Sequence, residues 1–198
     1  MPQTHDLLDL IGSRICHALI SPLGAIGNGV ELLSMTPAAN SPELALIAES
    51  VTAANARIRF YRVAFGAAGE GQRMGRPEVV SILADTTRGG RLTIEWAPQG
   101  DPPRAEVKLA FLLIQCLETA MPYGGRIAVT QEDGRWLIRG TAPRMKVDPG
   151  LWALLETPDA GAAVTAAQVH FMLAPLEMRR ADRQLAVDMA EGEIRLVW

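Results

Sequence analysis

The sequence predicts an α+β chain, a long antiparallel helical hairpin over residues 1–68 followed by a two-layer α/β sandwich over residues 77–198. Three observations carry this. Apolar residues recur at steps of three and four through two long segments ahead of residue 66. Gly66 to Arg76 holds four glycines and little that is apolar, the composition of a linker. Beyond it, short runs of alternating polar and apolar residues are interleaved with helical patterns.

The first helix is expected from about Thr4 to Met35. At about 100° per residue, Leu8, Ile11, Ile15, Leu19, Pro22, Ile26, Val30 and Leu33 share one face, which is expected to be buried. The opposite side carries Ser13, His17, Ser21, Gly24, Asn28 and Glu31, so His17 is expected to face solvent. Pro22 removes one helical hydrogen bond and favours a bend just past the histidine. Gly24, Gly27 and Gly29 weaken the next turns by roughly 0.8–1 kcal/mol each relative to Ala, a cost that close approach by another surface would explain. Residues 36–40 read as a turn, and Ser41-Pro42-Glu43 as a cap, a proline in the first helical turn and an acid beside it. In the second helix Leu44, Ile47, Val51, Ala54, Ile58, Tyr61 and Phe65 form a heptad seam toward the first.

Two long helices cannot close a core alone. Pairing with a second copy gives a four-helix bundle and a homodimer bearing two outward His17 side chains; packing of the seam on the C-terminal half would instead give a monomer. Gly66 to Arg76 is the expected hinge. A short helix over 77–87, a strand over 91–96 and an apolar helix over 105–121 follow, then a hairpin of strands over 126–131 and 135–140. A helix over 148–155 precedes a longer one from Thr165 to about Asp182 with Val169, Met172, Leu173 and Leu176 inward, and strands over 184–188 and 193–198 close a mixed sheet.

Composition narrows the function. With 19 basic against 22 acidic residues and a net charge of −3, neither nucleic acid nor an anionic membrane is the expected partner. No run is long and apolar enough to span a bilayer and no signal-peptide pattern opens the chain, so a cytoplasmic location is expected. Cys16 and Cys116 have neither zinc-site nor disulfide spacing, and three scattered histidines make no metal constellation; no metal site is expected. His5 reads as an inert terminal residue, His170 as a hydrogen-bonded structural histidine. Arg57, Arg59 and Arg62, and likewise Arg179, Arg180 and Arg183, read as solvated faces. An exposed imidazole with a pKa near 6.5 is largely neutral at pH 7, and His17 is therefore able to act as a nucleophile without an assisting base.

His17-Ala18-Leu19-Ile20-Ser21-Pro22-Leu23 resembles the H-box of histidine kinase dimerisation and phosphotransfer domains, and the longer run Cys16 to Leu33 is similar to the ChpT-type histidine phosphotransferases of alphaproteobacterial phosphorelays. It departs from the pattern at Ala18, where an acid is usual. The order of elements after residue 77, with Leu112 to Ala120, resembles the kinase ATP-binding domain, but as scaffold rather than site. Gln115, Glu118 and Thr119 offer no asparagine, Arg139 to Arg144 no acidic Gly box, and Ala160-Gly161-Ala162-Ala163 no second glycine to cradle phosphates.

The resemblance implies a dimeric histidine phosphotransferase that binds no ATP and has no cofactor of its own. His17 would take a phosphoryl group from the receiver domain of a hybrid histidine kinase, which brings the Mg²⁺, and pass it to downstream response regulators in cell-cycle or motility control. Ser13, Arg14, Ser21, Gly24, Asn28 and Glu31 would form the docking face, with the second domain adding a smaller contact. Two alternatives are an ATP-dependent kinase with an unusual pocket and a non-catalytic adaptor that binds receivers.

Overall fold

A computed structural model describes residues 4–35, 41–157 and 164–198; for residues 4–11, 13, 14, 17 and 18 it describes the backbone alone. The turn expected at 36–40, the segment 160–163 and the side chain of His5 lie outside the described residues. The chain divides into two compact units, Met1–Ala67 and Ala68–Trp198.

The first unit is a pair of antiparallel helices, α1 (Thr4–Ser34) and α2 (Pro42–Ala64). Ser41 caps α2 as expected, its hydroxyl accepting from the Leu44 amide at 3.3 Å. Close approach fixes the register. A Cβ on Gly12 would stand 2.5 Å from the Phe65 carbonyl oxygen, and one on Gly27 would touch Val51 Cγ1 at 3.5 Å. Cys16 and Val30 are buried along the same stripe.

This seam differs from the expected one. Of the apolar face assigned to α1, only Val30 is buried among the described side chains; Ile15, Leu19, Ile26 and Leu33 are 54, 44, 51 and 54% exposed. The in-chain seam runs instead through Gly12, Cys16, Gly27 and Val30, roughly 80° further round the helix. In α2 the expected seam is mostly half-buried, with Ile47 and Tyr61 exposed, and the buried residues are Ala56, Ile58, Phe60, Val63 and Ala64. One neighbouring helix covers only a narrow stripe of another, so each helix retains apolar surface that this pairing does not reach.

The second unit is a five-stranded sheet ordered β1-β2-β3-β5-β4, built from β1 (Leu92–Trp96), β2 (Gly125–Glu132), β3 (Arg135–Thr141), β4 (Ala186–Ala190) and β5 (Glu193–Val197). β1 and β2 are parallel across helix α4 (Arg104–Ala120), and the other pairings are antiparallel. Ile127, Val129, Trp136, Ile138, Ile194 and Leu196 alternate onto one buried face. α4 lies between that face and α6 (His170–Arg180), which explains why it is buried from Val107 through Leu117 without a polar side. Even Lys108 is buried, its ammonium 2.9 Å from Glu177. α3 (Arg76–Thr87) and α5 (Pro149–Glu156) complete the helices among the described residues.

Two expectations for this unit change. The single helix from Thr165 is a 3-10 turn, Ala166–Gln168, followed by α6, whose buried residues are His170, Phe171, Ala174, Pro175 and Met178 rather than Val169, Met172, Leu173 and Leu176. The linker is also shorter than expected. Met74 N donates to Pro102 O at 3.0 Å, Arg104 N to Gln72 O at 2.8 Å, and the Arg76 guanidinium to the carbonyls of Pro98 and Trp96, so residues 72–76 are strapped to the loop before α4.

The Gly12 contact gives a direct test. Gly12→Ala forces the helix ends apart against backbone, so it should cost about 1–3 kcal/mol of hairpin stability in urea unfolding, whereas Gly24→Ala, with nothing within 4 Å, should stabilise by up to about 1 kcal/mol.

Candidate functional site

The α1 backbone is helical through His17, and Ser13, His17, Ser21, Gly24, Asn28 and Glu31 therefore fall on one side of it. Ser21, Asn28 and Glu31 are exposed and Gly24 is half-buried; the side chains of Ser13, Arg14 and His17 lie outside the described residues. Gly24 and Gly29 each open onto free space, with no atom within 4 Å of an added Cβ, while Gly27 faces Val51. One of the three glycines thus serves the helix pair and the other two leave bare surface. Pro22 is exposed within an unbroken helix.

The register places two features on opposite sides of the hairpin. Ile15, Leu19, Ile26 and Leu33 of α1 and Ile47 and Tyr61 of α2 project to one side of the seam. The row containing position 17 projects to the other. On that second side the helices leave a groove of about 400 Å³, with Gly27, Val30, Ala48 and Val51 along its floor and Glu31, Ser34, Thr52 and Asn55 at its margins. Glu31 is its only charged residue. The sequence reading missed the α2 half of this groove, because Ala48, Thr52 and Asn55 lie beside the heptad pattern and are too small or polar to register in it. About three turns of α1 before the groove, burial pushes the Cys16 thiol pKa upward and the positive charge of Arg62 partly offsets this, which places an α2 cation beside the residue preceding His17.

In the second unit an open hollow of about 530 Å³ lies between the C-terminal part of α4 and α5, walled by Pro122, Val147, Leu151 and Trp152, with Thr119 and Lys146 at its edge. Asp148 is its one carboxylate, and its Oδ1 accepts from the amides of Gly150 and Leu151 to cap α5. Gln115 is buried with its Nε2 unpartnered. His170 is buried beside Phe171, ring centroids 4.8 Å apart, and its Nε2 is 3.2 Å from Thr119 Oγ1. That hydroxyl donates to Gln115 O at 2.9 Å, which makes His170 Nε2 the donor to it, and burial keeps the ring neutral at pH 7. Among the described residues no three His, Cys, Asp or Glu side chains are grouped to hold a metal ion, and no helix is long and apolar enough to cross a membrane.

Residues 76–193 match the family model of the histidine phosphotransferase C-terminal domain. The chain belongs to the histidine phosphotransferase family. It is 35% identical over 158 residues to the protein phosphotransferase ChpT of Brucella abortus strain 2308, covering 75% of each chain. A solved bacterial phosphotransferase superposes with a TM-score of 0.71 at 26% identity, over 100% of this chain and 97% of that one. The full-length ShkA structure in complex with AMPPNP shares the fold at a TM-score of 0.50 and 16% identity, over 94% of this chain and 44% of that one. Membership makes the chain a histidine phosphotransferase of a phosphorelay.

Burial lowers the His170 pKa from 6.5 to about 4. Since the unfolded imidazole binds its proton first as pH falls, stability is full above pH 6.5 and is lost progressively toward pH 4. Urea unfolding of the wild type should weaken across this window, and His170→Gln should flatten that part of the profile.

Proposed function

We propose that His17 is the phosphoryl carrier of a relay between two aspartates. A lone pair on one ring nitrogen of neutral His17 attacks the phosphorus of a receiver's aspartyl phosphate, the acyl O–P bond breaks, and the carboxylate leaves. The reverse attack by the aspartate of a response regulator regenerates the free ring. Such a transition state is loose and in line, so positioning and charge neutralisation supply most of the catalysis. The receiver supplies Mg²⁺; this chain supplies a nucleophile on a stiff helix. The absence of an acid at Ala18 fits a protein that takes phosphate from an activated donor rather than from ATP.

The observation that carries the reading is the position of the histidine row on the groove side of the hairpin, away from the exposed apolar stripe. Ser21, Gly24, Asn28 and Glu31, with Ser13 and Arg14, form the docking face, and the apolar-floored groove beside them takes one element of the receiver. The other side is the contact with a second copy. Full burial of a Leu or Ile gives roughly 1.5–3 kcal/mol, so covering the half-exposed Ile15, Leu19, Ile26 and Leu33 favours a homodimeric four-helix bundle. The second unit is a scaffold without ATP-dependent kinase activity: its hollow offers no free acid to read adenine, since Asp148 caps α5. The protein acts in the cytoplasm, where its receiver partners reside.

Incubation with a phosphorylated receiver domain of a hybrid histidine kinase should leave acid-labile, base-stable label on the wild type and none on His17→Ala, and labelled ATP alone should leave none on either. Label surviving in His17→Ala would refute the assignment, and label from ATP would favour a kinase.

A further inference from the structure

We propose that Arg59 and Arg62 of α2 hold the phosphoryl group as it passes to and from His17, so that the reacting site is built by both helices of the hairpin. The role rests on His17 being the phosphoryl carrier; the placement of the two arginines stands on the helix pair itself. Packing sets their height. Gly12 of α1 meets the Phe65 carbonyl and Gly27 meets Val51, so in this antiparallel pair position 17 stands level with residues 60–61 of α2. Arg59 and Arg62 lie within half a turn of that level. Phase sets their side. Ala48, Thr52 and Asn55 line the groove from α2, and the next step of four along that row is Arg59. Glu31 lines the groove from α1, and steps of three and four lead back from it through Asn28, Gly24 and Ser21 to position 17. Position 17 and position 59 therefore fall on one side of the pair, at one height. Arg62 lies nearer the seam, beside the buried Cys16 on which its charge acts.

The chemistry calls for cations at this place. A phosphoryl group in transfer spreads its negative charge over three equatorial oxygens. On α1 the positions one turn from His17 are Ser13, Arg14, Ile20 and Ser21, and position 14 falls on the face turned away from α2. The cations that share a side or a seam with position 17 come from α2. Glu31, the charged residue of the groove, lies roughly 20 Å along α1 from position 17, well beyond a Debye length, so its repulsion of the group is screened. Each guanidinium presents a planar fork of N–H donors that matches two phosphoryl oxygens at once. Arg59 is half-buried, which strengthens its pull relative to a fully solvated cation. In the transfer, the lone pair of one His17 ring nitrogen bonds the phosphorus while the acyl O–P bond breaks and its electron pair leaves with the aspartate. The arginines donate hydrogen bonds to the nonbridging oxygens and exchange neither proton nor electron.

Phosphoramidate phosphorylates histidine with no receiver present, ammonia leaving as its P–N bond breaks, and so separates this chemistry from docking. In the full chain, Arg59→Gln and Arg62→Gln should each slow phosphoramidate labelling of His17 on the order of tenfold, and Arg59→Lys and Arg62→Lys should restore part of the rate. Arg57→Gln, on the opposite face of α2 from Arg59, should leave it unchanged. With phosphorylated receiver as donor, the Gln variants should lower the maximal rate and leave the half-saturating receiver concentration within about twofold of wild type. Circular dichroism checks the helices; if a Gln variant has lost them, the matching Lys variant decides, and it should label more slowly than wild type. If the receiver passes no label to the wild type, the relay reading fails and the phosphoramidate arm still decides the arginines. Equal phosphoramidate rates in wild type and variants, a raised half-saturating concentration as the sole effect, no restoration by Lys in folded proteins, or no label on wild-type His17 from either donor would overturn the proposal.

Discussion

The closeness of α1 to α2 is the constraint from which the rest of the first unit follows. Gly12 against the Phe65 carbonyl admits no larger residue without moving a helix, and Gly27 stands within van der Waals reach of Val51, so the seam is set in rotation as well as register. With rotation set, Ile15, Leu19, Ile26 and Leu33 stay about half exposed, and position 17 falls on the other side of the α1 backbone. A phosphoryl carrier benefits from that division. Under the proposed relay, the nucleophile would sit on a helix stiffened by a second copy on its apolar side, without that contact covering the reacting face.

The second unit repeats the principle with different means. α4 is apolar on every side because the sheet takes one face and α6 another, and the charges it buries are matched rather than removed, Lys108 by Glu177. The aromatic row Trp96, Trp136 and Trp198 closes one end of the sheet, with Trp198 Nε1 donating to Glu106 at 2.8 Å.

Much of this was legible in the sequence. Ser41-Pro42-Glu43 announced the start of α2, and the alternation in Leu92 to Trp96 and the Glu132-Asp133-Gly134 turn announced their strands, because caps and turns are decided by local chemistry. The H-box residues led to the family on their own. Periodicity was less informative about what covers an apolar face. It marked Ile15, Leu19 and Ile26 as apolar-side residues and could not assign that side to α2 or to another chain. In α6 it failed by a fraction of a turn: His170 counts as polar in any pattern, yet its bond to Thr119 lets it be buried, and the 3-10 turn ahead of it shifts the helix phase. The groove between Gly27 and Val51 was invisible because it is a gap between two helices rather than a property of either.

The central claim is that the uncovered stripe of the hairpin belongs to a second copy, and the molecular mass in solution tests it most directly. Sedimentation equilibrium at micromolar concentration should give twice the 21.3 kDa chain mass for the wild type and the single-chain mass for Leu19→Glu combined with Ile26→Glu, with the second unit still folded. A wild type that sediments as a single chain throughout that range would contradict the account.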